Sequence, residues 1–99
     1  MELRPLAIVI AGVTRGLGRS MVDEFIRCGH RVFGCGRTER DIESLAREYP
    51  GHDFQSVDVA SNAEVKAWSK SILDTYGPPD FVLNNAAVMN LKASLFEVG

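Results

Sequence analysis

Leu6-Ala7-Ile8-Val9-Ile10 is an unbroken apolar run, rich in β-branched residues, with no polar alternation. A half-buried strand alternates; a continuous run of this length fits a strand covered on both faces, as in a parallel sheet. Glycines at 12, 16 and 18 follow at once. Apolar residues then return at three- and four-residue steps, Leu17, Met21, Phe25 and Ile26, a helical stripe. Gly29 stands where a helix C-terminal glycine belongs. The cycle repeats. Arg31-Val32-Phe33-Gly34-Cys35 predicts a second strand, and residues 41–49 a helix with Ile42, Leu45, Ala46 and Tyr49 on one face, stopped by Pro50-Gly51. Phe54-Gln55-Ser56-Val57 predicts a weaker third strand. Ser61 opens a third helix with Glu64 three residues on, a capping box in which each side chain can reach the other's backbone N–H. Val65, Trp68, Ile72, Leu73 and Tyr76 form its stripe and Gly77-Pro78-Pro79 ends it. Phe81-Val82-Leu83 predicts a fourth strand. No complete element is predicted over 91–99.

Strand and helix alternate from end to end, which predicts an α/β fold with a parallel sheet and right-handed helical crossovers. The 99 residues suffice for one domain, and no repeat interrupts them. A net charge of −2 without a run of like charge excludes nucleic acid and anionic membrane as expected partners. Residues 6–13 fall short of the roughly 18 apolar residues of a membrane span and contain Gly12, so they read as a buried strand and not as a signal-peptide core. The expected compartment is the cytoplasm. Cys28 and Cys35 have neither metal-ligand nor redox spacing and read as reduced thiols. His30 and His52 fall in turns, where solvated rings are expected. No metal is expected.

The chemistry concentrates in Gly12-Val13-Thr14-Arg15-Gly16-Leu17-Gly18, between the first strand and the first helix. Free backbone N–H groups at a helix start attract a pyrophosphate, and glycines let it come close. A tight turn with no ligand is the bland alternative. The spacing is not the G-x-G-x-x-G of the common dinucleotide fingerprint. Nor is it an NTPase phosphate loop, since five residues separate Gly12 from Gly18 and Arg19 replaces the required Lys.

The spacing that does fit is G-x-x-x-G-x-G, and here the sequence resembles the short-chain dehydrogenase/reductase family, with Ala11 in place of the motif's leading Thr. Asp58-Val59 after the third strand resembles the family pair that flanks the adenine. Asn84-Asn85-Ala86-Ala87 after the fourth resembles its N-N-A-G motif, with Ala87 in place of Gly. The resemblance covers residues 6–88. It implies a Rossmann-type doubly wound sheet, here limited to four strands in the order 3-2-1-4. It assigns Asn84 to the sheet scaffold and Asn85 to Ala87 to the ribose and pyrophosphate side. Singly, Asp58 could equally be an Asx-turn or a solvated loop acid, and the Asn pair a local turn.

Cofactor choice is read at the end of the second strand, where NAD-preferring proteins place a carboxylate for the ribose 2′-OH. That site reads Cys35-Gly36-Arg37-Thr38. A carboxylate would repel a 2′-phosphate, whereas arginine can grip it through two parallel hydrogen bonds. Arg15 matches the second basic position of NADP-preferring family members. Two exposed surface arginines are the alternative. The expected cofactor is therefore NADP, with NAD less favoured. The candidate contacts are Gly12, Thr14, Arg15, Gly16, Leu17, Gly18, Arg37, Thr38, Asp58, Val59, Asn85, Ala86 and Ala87. The family's catalytic Tyr, with Lys four residues on, lies beyond the fourth strand. Tyr49 and Tyr76 are followed four residues on by Asp53 and Asp80, so neither matches. Residues 1–99 are expected to be the cofactor-binding part of a longer enzyme, without catalytic residues and without turnover alone. The implied activity of the full-length protein is NADPH-dependent reduction of a small carbonyl compound to an alcohol, by a homo-oligomer. A non-catalytic NADP-binding or sensor protein on the same fold is the alternative.

Overall fold

The computed structural model describes residues 4–14 and 16–85. Seven elements follow in the expected order: β1 (Ala7–Ala11), α1 (Gly16–Arg27), β2 (Arg31–Gly36), α2 (Glu39–Glu48), β3 (Asp53–Ser56), α3 (Asn62–Thr75) and β4 (Phe81–Asn84). The strands form one sheet in the order β3-β2-β1-β4, and every pairing is parallel.

Handedness distributes the helices. The chain steps from β1 to β2 to β3 in one direction, then returns past β1 to β4 in the other. Right-handed crossovers therefore place α1 and α2 on one face and α3 on the opposite face. Because strand side chains alternate, β1 feeds two cores at once. Ala7, Val9 and Ala11 pack with Phe33, Cys35, Val57, Val65, Trp68 and Ile72 under α3. Ile8 and Ile10 pack with Val13, Val22, Val32, Ile42, Leu45 and Phe54 under α1 and α2. All five β1 residues are buried, which is why this strand carries no polar position.

The helix ends follow local chemistry. Gly29 takes a φ of +89° and closes α1, with its N–H donating to the Ile26 carbonyl and the His30 N–H to that of Phe25. Ser61 caps α3 through its Oγ, which accepts from the Glu64 N–H at 3.2 Å. The expected return bond does not form. The Ser61 N–H is already taken by the Asp58 carbonyl, so the Glu64 carboxylate reaches on to the Asp58 N–H at 3.1 Å.

Two further expectations are corrected. Leu17 does not belong to the buried stripe of α1; it is 66% exposed, and Gly18 occupies the buried position beside it. The histidines are half-buried acceptors and not solvated rings. His30 Nδ1 accepts from the Leu6 N–H at 3.0 Å and His52 Nδ1 from the Val32 N–H at 3.1 Å. Asp80 accepts from the Ala7 N–H at 2.7 Å and pairs with Arg4 at 2.6 Å. The amides at the entry to a strand need acceptors, and these side chains supply them at the amino ends of β1 and β2.

A ring nitrogen that accepts a hydrogen bond must be unprotonated. Burial, and then the charge of Arg31, holds the His52 pKa below its ordinary value. On unfolding, His52 recovers its ordinary proton affinity, so the unfolded chain binds the proton first. The stability this group contributes is complete above about pH 6.5 and is lost as pH falls through the lower folded value. The melting temperature of the full-length protein should therefore fall between about pH 7 and 5. His52→Asn, whose Oδ1 can replace Nδ1 without titrating, should flatten that fall. Identical pH slopes for the two proteins would remove His52 as the cause.

Candidate functional site

Strand order reverses between β1 and β4, since β1 leads through α1 to one side and β4 arrives through α3 from the other. In open α/β sheets the crevice at the carboxyl ends of two such strands is where ligands settle. Here it is bounded by the turn from β1 to α1.

Hydrogen bonds hold that turn on both sides. The N–H groups of Gly12 and Val13 both donate to the Cys35 carbonyl, at 2.8 and 3.1 Å, tying the turn to the end of β2. The Asn85 N–H donates to the Ala11 carbonyl at 2.8 Å, and Asn85 Nδ2 donates to the Gly12 carbonyl at 3.0 Å, tying it to the end of β4. Helix α1 then comes down on the turn. A Cβ built on Gly18 would lie 1.8 Å from the Gly12 oxygen and 2.7 Å from Asn85 Nδ2, so only glycine fits. Gly16 is glycine for a different reason: its φ is +63°, and among the described residues a Cβ there would meet nothing within 4 Å.

The fit to a phosphate follows from this arrangement. The first amides of a helix have no intrahelical acceptor and carry its positive end. The first turn of α1 contains no acidic residue to oppose an anion. Among the described residues none crowds the Cβ side of Gly16. Arg19, the residue standing where an NTPase lysine would be, is committed elsewhere: its guanidinium contacts Asp23 and Glu48, each at 2.6 Å.

Thr14 is half-buried and its Cγ2 faces Gly36 at the end of β2. Leu17 is exposed at the start of α1. Arg37 is exposed directly after β2, and its carbonyl accepts from Ser56 Oγ at 3.4 Å. Thr38 is the N-cap residue of α2 by its backbone, with no side-chain cap bond, and its carbonyl accepts from the Ile42 N–H at 3.1 Å. The carboxylate of Asp58 accepts from the Ala60 N–H at 3.0 Å, an Asx-turn. Val59 packs, partly buried, on the α3-side core. This pair joins the unit through Val57, whose N–H donates to the Gly36 carbonyl at 3.0 Å. Arg15, Ala86 and Ala87 lie outside the described residues. The turn, the end of β2 and Asn85 thus form one bonded unit, with Asp58 and Val59 at its margin. The clamp by the Asn85 side chain was missed in the sequence, because its partner lies 73 residues away.

Among the described residues nothing else near the turn offers reactive chemistry. Burial pushes the Cys35 thiol up to about 11, so it stays protonated and inert. Tyr49 donates to Asp23 at 2.6 Å at the far end of α2, and Tyr76 meets Phe33 edge-on with the Arg31 guanidinium over its ring, at the amino end of β2. Among the described residues no three His, Cys, Asp or Glu side chains could share a metal, and no helix is long and apolar enough to cross a membrane.

A family model described as short chain dehydrogenase matches residues 6–97. The chain is 34% identical over 94 residues to the NADPH-dependent pterin aldehyde reductase of Arabidopsis thaliana, covering 92% of this chain and 39% of that protein. It is 37% identical over 89 residues to the L-xylulose reductase of Bos taurus, covering 88% and 34% respectively. Among solved structures it is similar to the actinorhodin polyketide ketoreductase with NADPH, with a TM-score of 0.76, 28% identity, and coverage of 92% of this chain and 39% of that one. A short-chain dehydrogenase from Streptomyces avermitilis gives a TM-score of 0.78 at 25% identity, with coverage of 84% and 31%. The chain therefore spans well under half the length of each of these proteins.

The two glycines should behave differently. In the full-length protein, Gly18→Ala should cost more than about 3 kcal/mol, because backbone must move. Gly16→Ala should cost only about 1–2 kcal/mol, the strain of its left-handed backbone. Denaturant unfolding of both variants checks this. A Gly18→Ala protein as stable as Gly16→Ala would refute the close approach.

Proposed function

The chain belongs to the short chain dehydrogenase family, and from that premise we propose that it forms the cofactor-holding part of an NADPH-dependent reductase of small carbonyl compounds. The observation that carries the cofactor assignment is the end of β2: Gly36 followed by exposed Arg37, bonded to the glycine turn through Cys35. Pyrophosphate seat and ribose-phosphate reader are then parts of one rigid unit. The names of the Arabidopsis thaliana reductase and the ketoreductase, both linked to NADPH, support the same choice.

When bound, the dinucleotide supplies the hydride. The chain's own residues bind and orient it. The first amides of α1 take the pyrophosphate, with Gly16 leaving room for it. Arg37, with Arg15, pairs with the 2′-phosphate, and Thr38 stands beside it. Leu17, Asp58 and Val59 border the nucleotide, and Asn85 to Ala87 line the ribose side. Proton transfer to the carbonyl oxygen falls to residues C-terminal to this segment, since both tyrosines described here sit away from the turn.

Titration of the full-length protein with both dinucleotides tests the assignment. Arg37→Asp should weaken NADPH by roughly 30- to 1000-fold, about 2–4 kcal/mol from one lost charge-assisted pair and one added repulsion, and NADH far less. Equal losses for both would remove the 2′-phosphate role.

A further inference from the structure

Gly36 is the last residue of β2 and does not have a positive φ, so its backbone would accept a side chain without strain. The obstacle is space. A Cβ at Gly36 would lie 2.6 Å from Thr14 Cγ2 and 3.1 Å from Ile42 Cδ1. The first distance is far inside van der Waals contact. The backbone of Gly12 and Val13 just before Thr14 is bonded to Cys35, so the methyl clears that space only by a turn of the Thr14 side chain about χ1. Ile42 is buried in the core under α1 and α2. The same strand end is where a carboxylate that selects NAD would be attached.

We propose that Thr14 is a specificity-determining residue. Its methyl group fills the space above Gly36, keeps the end of β2 free of any side chain, and leaves Arg37 as the first group the cofactor's ribose meets. The lack of a carboxylate at this position is thereby enforced by packing in the glycine turn. A carboxylate introduced at position 36 alone has to turn the Thr14 side chain out of its place or shift the turn that carries it and seats the pyrophosphate. It damages binding of both cofactors before it can serve the 2′-OH. Removing the Thr14 methyl opens the place for it. This inference rests on the cofactor reading above.

The test is a set of variants of the full-length protein, read by thermal unfolding and by titration with NADPH and NADH. Gly36→Ala, which adds only the Cβ, should lower the melting temperature by about 4–8 °C. Thr14→Ser, which deletes only the methyl, should recover at least half of that loss when combined with it. Gly36→Asp alone should lose NADPH without gaining NADH. The Thr14→Ser/Gly36→Asp pair should bind NADH at least about tenfold more tightly than Gly36→Asp does. Additive melting shifts, or a Gly36→Asp protein that gains NADH as fully as the pair, would overturn the inference even if the unmutated protein prefers NADPH. An unmutated protein with no preference for NADPH, but with the Thr14–Gly36 melting coupling intact, would overturn the cofactor reading instead and the selectivity role with it.

Discussion

Helix α1 can start where it does only because Gly18 has no side chain. With a Cβ 1.8 Å from the Gly12 oxygen, the helix would have to lift away from the carboxyl end of β1. The turn, its bonds to Cys35 and Asn85, and the direction of the first helical amides all follow from that contact. The contact also spends nothing on specificity: under the proposed function it shapes the seat for a phosphate group and leaves the choice of nucleotide to the end of β2.

Two scales of organisation meet at this point. The long scale is the reversal of strand order between β1 and β4, which right-handed crossovers turn into helices on opposite faces with a crevice between them. The short scale is the pair of glycines in the turn, one closing the approach of α1 and one taking the left-handed backbone at its start. Neither is sufficient alone. A switch point without the close helix has no converging amides, and a glycine turn elsewhere on the sheet has no crevice. β1 links them, since its five buried residues anchor both cores while its last carbonyl receives the Asn85 amide.

The order and type of all seven elements were legible in the sequence, because each strand or helix carries its own period and stop signals. β1 is the plainest case, as burial on both faces left no polar position. Boundaries were less legible. α2 begins at Glu39, ahead of its apolar stripe, because its acidic first turn favours helix and needs no core contact. Leu17 looked like part of the stripe of α1, but the apolar period cannot register that a glycine is the buried residue. The histidines and the Asn85 clamp escaped because each satisfies a backbone group whose need arises only once distant segments meet. Glu64 escaped for a local reason: the Asp58 carbonyl already holds the Ser61 N–H, which sends the carboxylate six residues back to the Asp58 N–H. The candidate site was legible as a set of short motifs, but its union into one bonded unit was not.

The central claim is that the turn between β1 and α1 seats the phosphates of a dinucleotide. Amide chemical shifts of the full-length protein, recorded during titration with NADPH, address it directly. The account predicts saturable shifts centred on residues 12–18 and on Asn85. It predicts the same pattern with NADH at higher concentration, and shifts at Arg37 and Thr38 confined to NADPH. Saturable shifts elsewhere on the sheet with the turn unmoved, or no saturable binding of either dinucleotide, would contradict it.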